Sequence, residues 1–295
     1  MGHAAVITAY KDAPQLIRLQ TGLRSLGFKI FVHIDRKANF SAEEMARISS
    51  LSDVVRSAYR VGWGDYAHLK AIILLLRDAI AAGGWQHVHI VSGQDHPIAP
   101  LERFDELGDR CHLSLIAYDA MAQHVRDRYE LYHFPLKFRS RRPVRAINRA
   151  IHRLQQLTGY RRKRIGSFSA IYKGVIWNSL TYEACRAMLD DPRHDEFVKA
   201  LRSVEIPEEF YIQTLLMNSP HSDKVSVGNL RYTDWSFKNG SNPAYLDESD
   251  YDRITLSGHL FARKIDSALS CKLLKLLSEQ QYGAETLASG ATDGT

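Results

Sequence analysis

The chain has 295 residues, 45% of them hydrophobic and 24% charged, a globular profile long enough to bury a large core without disulfides or structural metal. Its net charge is +6, which favours anionic partners. Cys111, Cys185 and Cys271 are odd in number and far apart, which excludes a disulfide scaffold and argues for reduced thiols. The opening MGHAAVITAY does not read as a signal peptide, and the longest apolar block, AIILLL at 71–76, is far short of a membrane span. The expectation is a cytoplasmic protein.

In chain order, AAVITAY (4–10) is a short β-type run, and leucines 16, 19, 23 and 26 fall at helical spacing. KIFVHID (29–35) is a second strand. SAEEMARISSL (41–51) opens with Ser41 and has Glu44 three residues on, a capping box. DYAHLKAIILLLRDAIAAGG (65–84) is a long helix capped by Asp65 and closed by glycines. HVHIV (87–91) and HLSLIAYD (112–119) read as third and fourth strands. Strands separated by helices predict a parallel sheet of Rossmann type. Ligands bind such sheets at the carboxyl ends of the strands, so His33–Asp35 and Ser92–Asp95 share a rim.

The stretch 137–164 carries eleven Lys and Arg and no acid, and elsewhere acids outnumber bases. Within it, 143–157 places Val144, Ile147, Ile151 and Leu154 on one helical face and arginines on the other. This basic amphipathic helix suits the anionic inner leaflet of a membrane; packed on the domain with its arginines solvated, it is an ordinary helix. FSAIYKGVIWNSL (168–180) has a mixed pattern. Helices follow around YEACRAMLDD and PEEFYIQTLLMNS, then VSVGNLRYTDW. One catalytic-size domain is expected over 1–282, with the basic insertion at about 137–164 and a disordered polar tail at 283–295.

Several short signals carry chemistry. HID (33–35) ends a strand in a carboxylate that can accept from a base N–H or a ribose hydroxyl, or can simply close a turn. SGQDHP (92–97) has a single carboxylate, Asp95, after Gly93, which lets a ligand approach the backbone. His87 and His89 share a strand face without a third ligand nearby, the pattern of a structural pair more than of zinc. A literal D-x-D, DYD (250–252), sits in the polar DESDYDR and reads as a solvated turn or helix start. IPEEFYIQTLL (206–216) puts Pro207 and two acids at a helix start; one acid can favour the dipole while the other faces a cleft as a general base. Arg263 and Lys264 in FARKID make a candidate diphosphate clamp. The glycine fingerprints of dinucleotide and P-loop sites are absent.

Taken in order, HIDRKA (33–38), VGWGDYAHLKA (61–71), HIVSGQDHPI (89–98), YKGVIWNSLT (172–181), IPEEFYIQTLLMNS (206–219), LRYTDW (230–235) and LFARKID (260–266) resemble the successive blocks of one glycosyltransferase family. It contains the core-2/I-branching β-1,6-N-acetylglucosaminyltransferases and the peptide O-xylosyltransferases. The resemblance runs from about residue 4 to 270. Without a signal-anchor or stem, the chain resembles a bacterial-type catalytic domain.

The resemblance implies an α/β GT-A fold with a Rossmann-like mixed sheet flanked by helices, a nucleotide-sugar donor, and inversion at the anomeric carbon without metal or other cofactor. By that resemblance Glu209 is the general base. Asp35, Ser92, Gly93 and Asp95 shape the donor pocket, and Lys264 with Arg263 neutralises the leaving diphosphate. Trp235 lies toward the acceptor, and Trp177, Glu208 and Arg128 are expected to line the substrate site with it. A further diphosphate arginine of some members has Ser241 or a neighbour in its place. Val175 and Ala67 stand where family serines do. The expected reaction moves N-acetylglucosamine, or alternatively xylose, from a UDP-sugar to a hydroxyl of a glycan or lipid-linked saccharide, as in surface polysaccharide biosynthesis. A nucleic-acid-binding protein is the rival of different class; against it, Tyr129, Tyr132 and Phe134 precede the basic run instead of interleaving with it.

Overall fold

A computed structural model describes residues 2–133, 142–162 and 168–279. In chain order the elements are β1 (His3–Ala9), α1 (Ala13–Ser25), β2 (Lys29–Ile34), α2 (Ala42–Ser50), β3 (Val54–Arg56), α3 (Tyr66–Ala82), β4 (His87–Ser92), β5 (Asp95–Pro97), α4 (Leu101–Asp105), β6 (Cys111–Leu113) and β7 (Ile116–Ala117). There follow α5 (Gln123–Glu130), α6 (Arg142–Thr158), β8 (Tyr172–Lys173), β9 (Ser179–Thr181), α7 (Tyr182–Leu189), α8 (His194–Leu201), α9 (Glu208–Met217), β10 (Val225–Val227), β11 (Arg231–Thr233), α10 (Tyr251–Thr255) and β12 (Phe261–Arg263). Residues 271–279 are helical.

Seven strands form the main sheet in the order β10-β6-β9-β4-β1-β2-β3. Strand side chains alternate between its faces. Ala4, Val6, Phe31, Val88 and Ile90 pack with Leu69, Ile72 and Leu76 of α3. Ala5, Ile7, Ile30, Val32 and Val91 pack with Leu16, Leu19 and Leu23 of α1. Both faces are therefore covered, as a sheet with parallel strands needs. Ser41 and Glu44 form the predicted capping box on α2, and the Asp65 side chain accepts from Ala67 N at the start of α3.

The sheet is mixed and flanked by helices, as the family resemblance implies, and not parallel throughout as strand–helix alternation alone predicts. β9 runs antiparallel to both β4 and β6. Helices α5 and α6 lie between β6 and β9, but the chain enters β9 directly from β8, which belongs to the separate β7–β8 pair. HLSLIAYD is likewise two strands. After β6 the chain leaves the sheet at Ser114, whose N–H donates to Asn178 Oδ1 (3.2 Å), and β7 pairs with β8 instead. A separate sheet, β11-β12-β5, lies over the carboxyl side of β4.

Helix α6 forms as predicted, but its apolar stripe is only partly covered: Val144 and Ile151 are half-buried, whereas Ile147 is 51% and Leu154 61% exposed, as is Leu157 beyond them at 85%. It is fastened along a polar edge. Gln155 exchanges hydrogen bonds with the Tyr132 backbone (2.8 and 3.0 Å), and the His152 ring stands 4.2 Å from His133. The ends of the basic insertion and the whole 283–295 tail lie outside the described residues. No helix among the described residues is long and apolar enough to cross a membrane.

Candidate active site

Parallel pairing of β1 with β2 and β4 brings Lys11, Asp35 and Ser92–Asp95 to one edge of the sheet. Asp35 is buried, and its carboxylate accepts from Lys37 N (2.9 Å) and Val61 N (3.3 Å). It ties the turn after β2 to the 61–65 loop. Asp95 is fully buried; Oδ2 accepts from Ser92 N (2.8 Å) and from Ser92 Oγ. Gly93 approaches Ala9 so closely that a Cβ would stand 3.1 Å from the alanine methyl.

The remaining Asp95 oxygen, Oδ1, lies 3.3 Å from Arg263 Nε. Neither atom is aligned for a hydrogen bond, so the contact is one of charge. β12 ends at Arg263, and the predicted clamp divides there, each cation taking its own partners. Arg263 turns inward, its guanidinium 4.5 Å from the centre of the Trp177 ring. Lys264 Nζ donates to Ser241 Oγ (3.1 Å). Burial, then Arg263 and Lys11, lowers the Lys264 pKa.

Pro207 precedes α9, and the two acids part as predicted. Glu208 is buried and its Oε1 accepts from His68 Nδ1 (2.9 Å); Oε2 has no hydrogen-bond partner. His68 also faces the Trp177 ring at 6.0 Å. Glu209 is partly exposed, and its Oε2 lies 2.8 Å from Lys173 Nζ and 3.3 Å from Arg128 Nη1. Its main-chain oxygen accepts from Gly174 N (2.8 Å). A Cβ on Gly174 would fall 1.7 Å from Ser114 O, so only glycine permits this seating.

A cavity of about 310 Å³ lies beside Trp177, bounded by Ser114, Val175, Arg231, Trp235, His259 and Arg263 among others. Trp235 is 60% exposed at its mouth. Behind it Arg231 is buried and donates to Ser179 Oγ (2.7 Å), Asn178 O (2.9 Å) and Ile90 O (3.2 Å). Burial pushes Arg231 down to about 9, against the pull of Asp95. A larger opening of about 710 Å³ between α1 and residues 271–278 contains none of the predicted site residues; chemistry, not size, identifies the site.

The structure thus gathers Arg263, Trp177 and Trp235 around one cavity, with Asp95 buried against Arg263 and Glu208 linked to Trp177 through His68; Glu209 is held apart from these by Lys173 and Arg128. Four participants escaped the sequence reading. His68 lies within the VGWGDYAHLKA block. Lys173 adjoins the G-V-I-W block, and Arg231 is the first residue of R-x-x-D-W, so both had a signal beside them. Lys11 had none beyond following β1. DYD is a helix start, yet Asp250 is not solvated: it is buried and binds Lys238 Nζ (2.7 Å) and Arg253 Nη2 (2.5 Å). Those cations supply the countercharge a buried carboxylate needs. His87 and His89 sit in a stack with His3, as a structural pair would. Among the described residues no three His, Cys, Asp or Glu side chains gather as a metal site.

A family profile described as "Branch: Core-2/I-Branching enzyme" matches residues 5–256. Xylosyltransferase sqv-6 of Caenorhabditis briggsae is 23% identical over 88% of this chain and 31% of its own length. Xylosyltransferase 1 of Rattus norvegicus is 24% identical over 86% of the chain and 32% of its own. The chain spans about a third of the length of these curated relatives. Among solved structures, S. aureus TarS 1–349 in complex with UDP gives a TM-score of 0.38 at 10% identity, covering 86% of this chain and 63% of that one. Core-mannan synthase A from Aspergillus fumigatus, in its Mn/GDP form, gives 0.36 at 12% identity, covering 76% and 72%. The profile reaches from β1 through α10, and the chain belongs to the Core-2/I-Branching enzyme family.

Proposed function

We propose that the chain is an inverting glycosyltransferase that needs no metal. It transfers a sugar, first N-acetylglucosamine, from a UDP-sugar to a hydroxyl of a glycan or lipid-linked saccharide. The observation that carries this reading is Glu209, a partly exposed carboxylate at the first turn of α9, held by Lys173 and by Gly174, the neighbour of cavity-lining Val175. In the proposed step the acceptor oxygen bonds to the anomeric carbon while the bond from that carbon to the β-phosphate oxygen breaks. Its electron pair leaves on UDP, and the acceptor's proton passes to Glu209. Lys264 meets the charge that grows on the leaving diphosphate. Losing one such electrostatic donor typically costs about 2.7–4 kcal/mol of barrier.

Xylose is the second donor reading, and the xylosyltransferases among the relatives favour it. For the acceptor, the exposed part of the apolar stripe of α6, with Arg149 and Arg153 exposed beside it, supports a saccharide carried at an anionic membrane surface, reached from the cytoplasm. No nucleic-acid partner is proposed.

A thermal-shift panel of nucleotide-sugars, with and without EDTA, tests donor and metal together. Stabilisation by one UDP-sugar, unchanged by chelator, is expected; dependence on a divalent ion would overturn the metal-free reading. Glu209→Gln should keep donor binding while kcat falls by about 10²–10⁴-fold, the usual share of a general base. Near-normal turnover would remove Glu209 from that role.

A further inference from the structure

Lys11 leaves the carboxyl end of β1, and Lys264 leaves β12. Their ammonium groups converge on one tyrosine. Lys11 Nζ donates to Tyr245 Oη (2.5 Å) and lies 5.0 Å from the ring centre. Lys264 Nζ lies 5.8 Å from the same centre and donates to Ser241 Oγ (3.1 Å). Gln94 Nε2 donates to Tyr245 Oη (3.2 Å). Both lysines donate to hydroxyl oxygens.

Neither ammonium forms an ion pair with a carboxylate among the described residues. The acid next to Lys11 is committed elsewhere: Asp12 accepts from Gln15 N (3.2 Å) and Ser267 N (2.8 Å). Arg263, the other cation nearby, faces Asp95. Burial first, then Arg263 and Lys11, lowers the Lys264 pKa; at Lys11 burial is outweighed by the bond to Tyr245 and by Tyr10 and Asp266, and its pKa is raised. An anion between the two ammonium groups relieves Lys264 and finds Lys11 fully charged. The position fits an incoming ligand, because the carboxyl ends of parallel strands are where such sheets bind one.

We propose that Lys11 is the second diphosphate-binding cation of this chain, paired with Lys264 across Tyr245. It supplies the positive charge that Ser241 cannot, and one ammonium serves each phosphoryl group of the nucleotide donor. This rests on the nucleotide-sugar reading above.

Calorimetric titration of the full chain with UDP, uridine and pyrophosphate tests it. Lys11→Met should weaken UDP at least tenfold and leave uridine within twofold, while Lys11→Arg recovers most of the UDP affinity. Unaltered uridine binding also shows that the variant is folded. Lys11→Met binding UDP as the wild type does would overturn the assignment of Lys11 alone. Wild-type protein that binds neither UDP nor uridine would overturn the donor reading and the proposal with it. Pyrophosphate binding lost in Lys11→Met but not displaced by UDP would assign Lys11 to a different diphosphate, such as that of a lipid-linked acceptor, and would overturn the donor assignment.

Discussion

Glu209 is held by two cations, and a carboxylate so held has a fixed direction. Lys173 is the nearer, at 2.8 Å against 3.3 Å for Arg128, and its side chain is only 12% exposed. Hydrogen bonds to charged groups contribute roughly 1.5–3 kcal/mol. Lys173→Met is therefore expected to lower kcat by about one to two orders of magnitude, with donor affinity unchanged and partial recovery in Lys173→Arg. Steady-state kinetics with the donor KM measured separately checks this; a rise in donor KM with kcat intact would place Lys173 on the donor instead. The adjacent residue carries a packing demand. Alanine at 174 would thrust its methyl to 1.7 Å from Ser114 O and 2.7 Å from Gln213 Nε2. Backbone must move, so Gly174→Ala should cost at least the 1–3 kcal/mol typical of overpacking, read as a lowered unfolding midpoint. At this scale the sequence exposed the acids better than their partners. A proline followed by two glutamates already suggests one inward and one outward carboxylate. Which lysine meets the outward one depends on β8 lying against α9, a contact across 36 positions that no local pattern encodes.

The buried histidines belong to the element scale, because β4 carries two on its α1-facing side. His87 and His89 are fully buried and stack with His3. Their neutral forms are well provided for: His89 meets Ser179 Oγ (2.8 Å) and His3 Nδ1 (3.2 Å), and His87 Nε2 donates to Arg110 O (3.2 Å). Burial pushes His87 down to about 4 and takes His89 well below its ordinary value. His96 on β5, half-buried, is pushed down to about 4 by desolvation. The unfolded chain takes up these protons near pH 6.5, whereas the fold resists those of His87 and His96 until about pH 4 and that of His89 further still. The folded state therefore loses stability as pH falls through that interval and is indifferent to these groups above it. For His87 alone the full loss is about 3 kcal/mol. Urea unfolding at pH 7.5, 5.5 and 4.5 should show the midpoint dropping with acid, less steeply in His87→Leu; identical acid slopes would exonerate His87. Element types were legible where periodicity or caps were strong, as in α2 and α3. Strand direction was not. Three residues, Ser179–Thr181, carry no mark of whether they run with or against β4, and the mixed sheet follows from that one reversal.

For the whole molecule, the excess of positive charge is a local matter. Eleven basic residues lie between 137 and 164 in a chain of net charge +6. Helix α6 carries part of this charge and presents Ile147, Leu154 and Leu157 outward. Its fastening runs to the active site: Gln156 and Arg161 bind Asp127 of α5 (3.0 and 2.7 Å), and the next residue, Arg128, reaches Glu209. Helix α6 is therefore tied through α5 to a residue that holds the proposed base. Apolar side chains entering the interface and basic ones meeting anionic headgroups act together, the latter at about 1 kcal/mol each. The chain is expected to co-sediment with vesicles containing phosphatidylglycerol and to do so less as salt rises. Replacing Ile147, Leu154 and Leu157 by serine should release it at any salt, whereas Arg149→Glu with Arg153→Glu should release it most at low salt. Because these five side chains lie away from Glu209 and Lys264, turnover of a soluble acceptor should be unaffected in both variants while turnover of a vesicle-borne one falls. Equal sedimentation of the wild type with neutral and anionic vesicles, or no loss in either variant, would leave α6 as an ordinary surface helix and the acceptor free of the membrane.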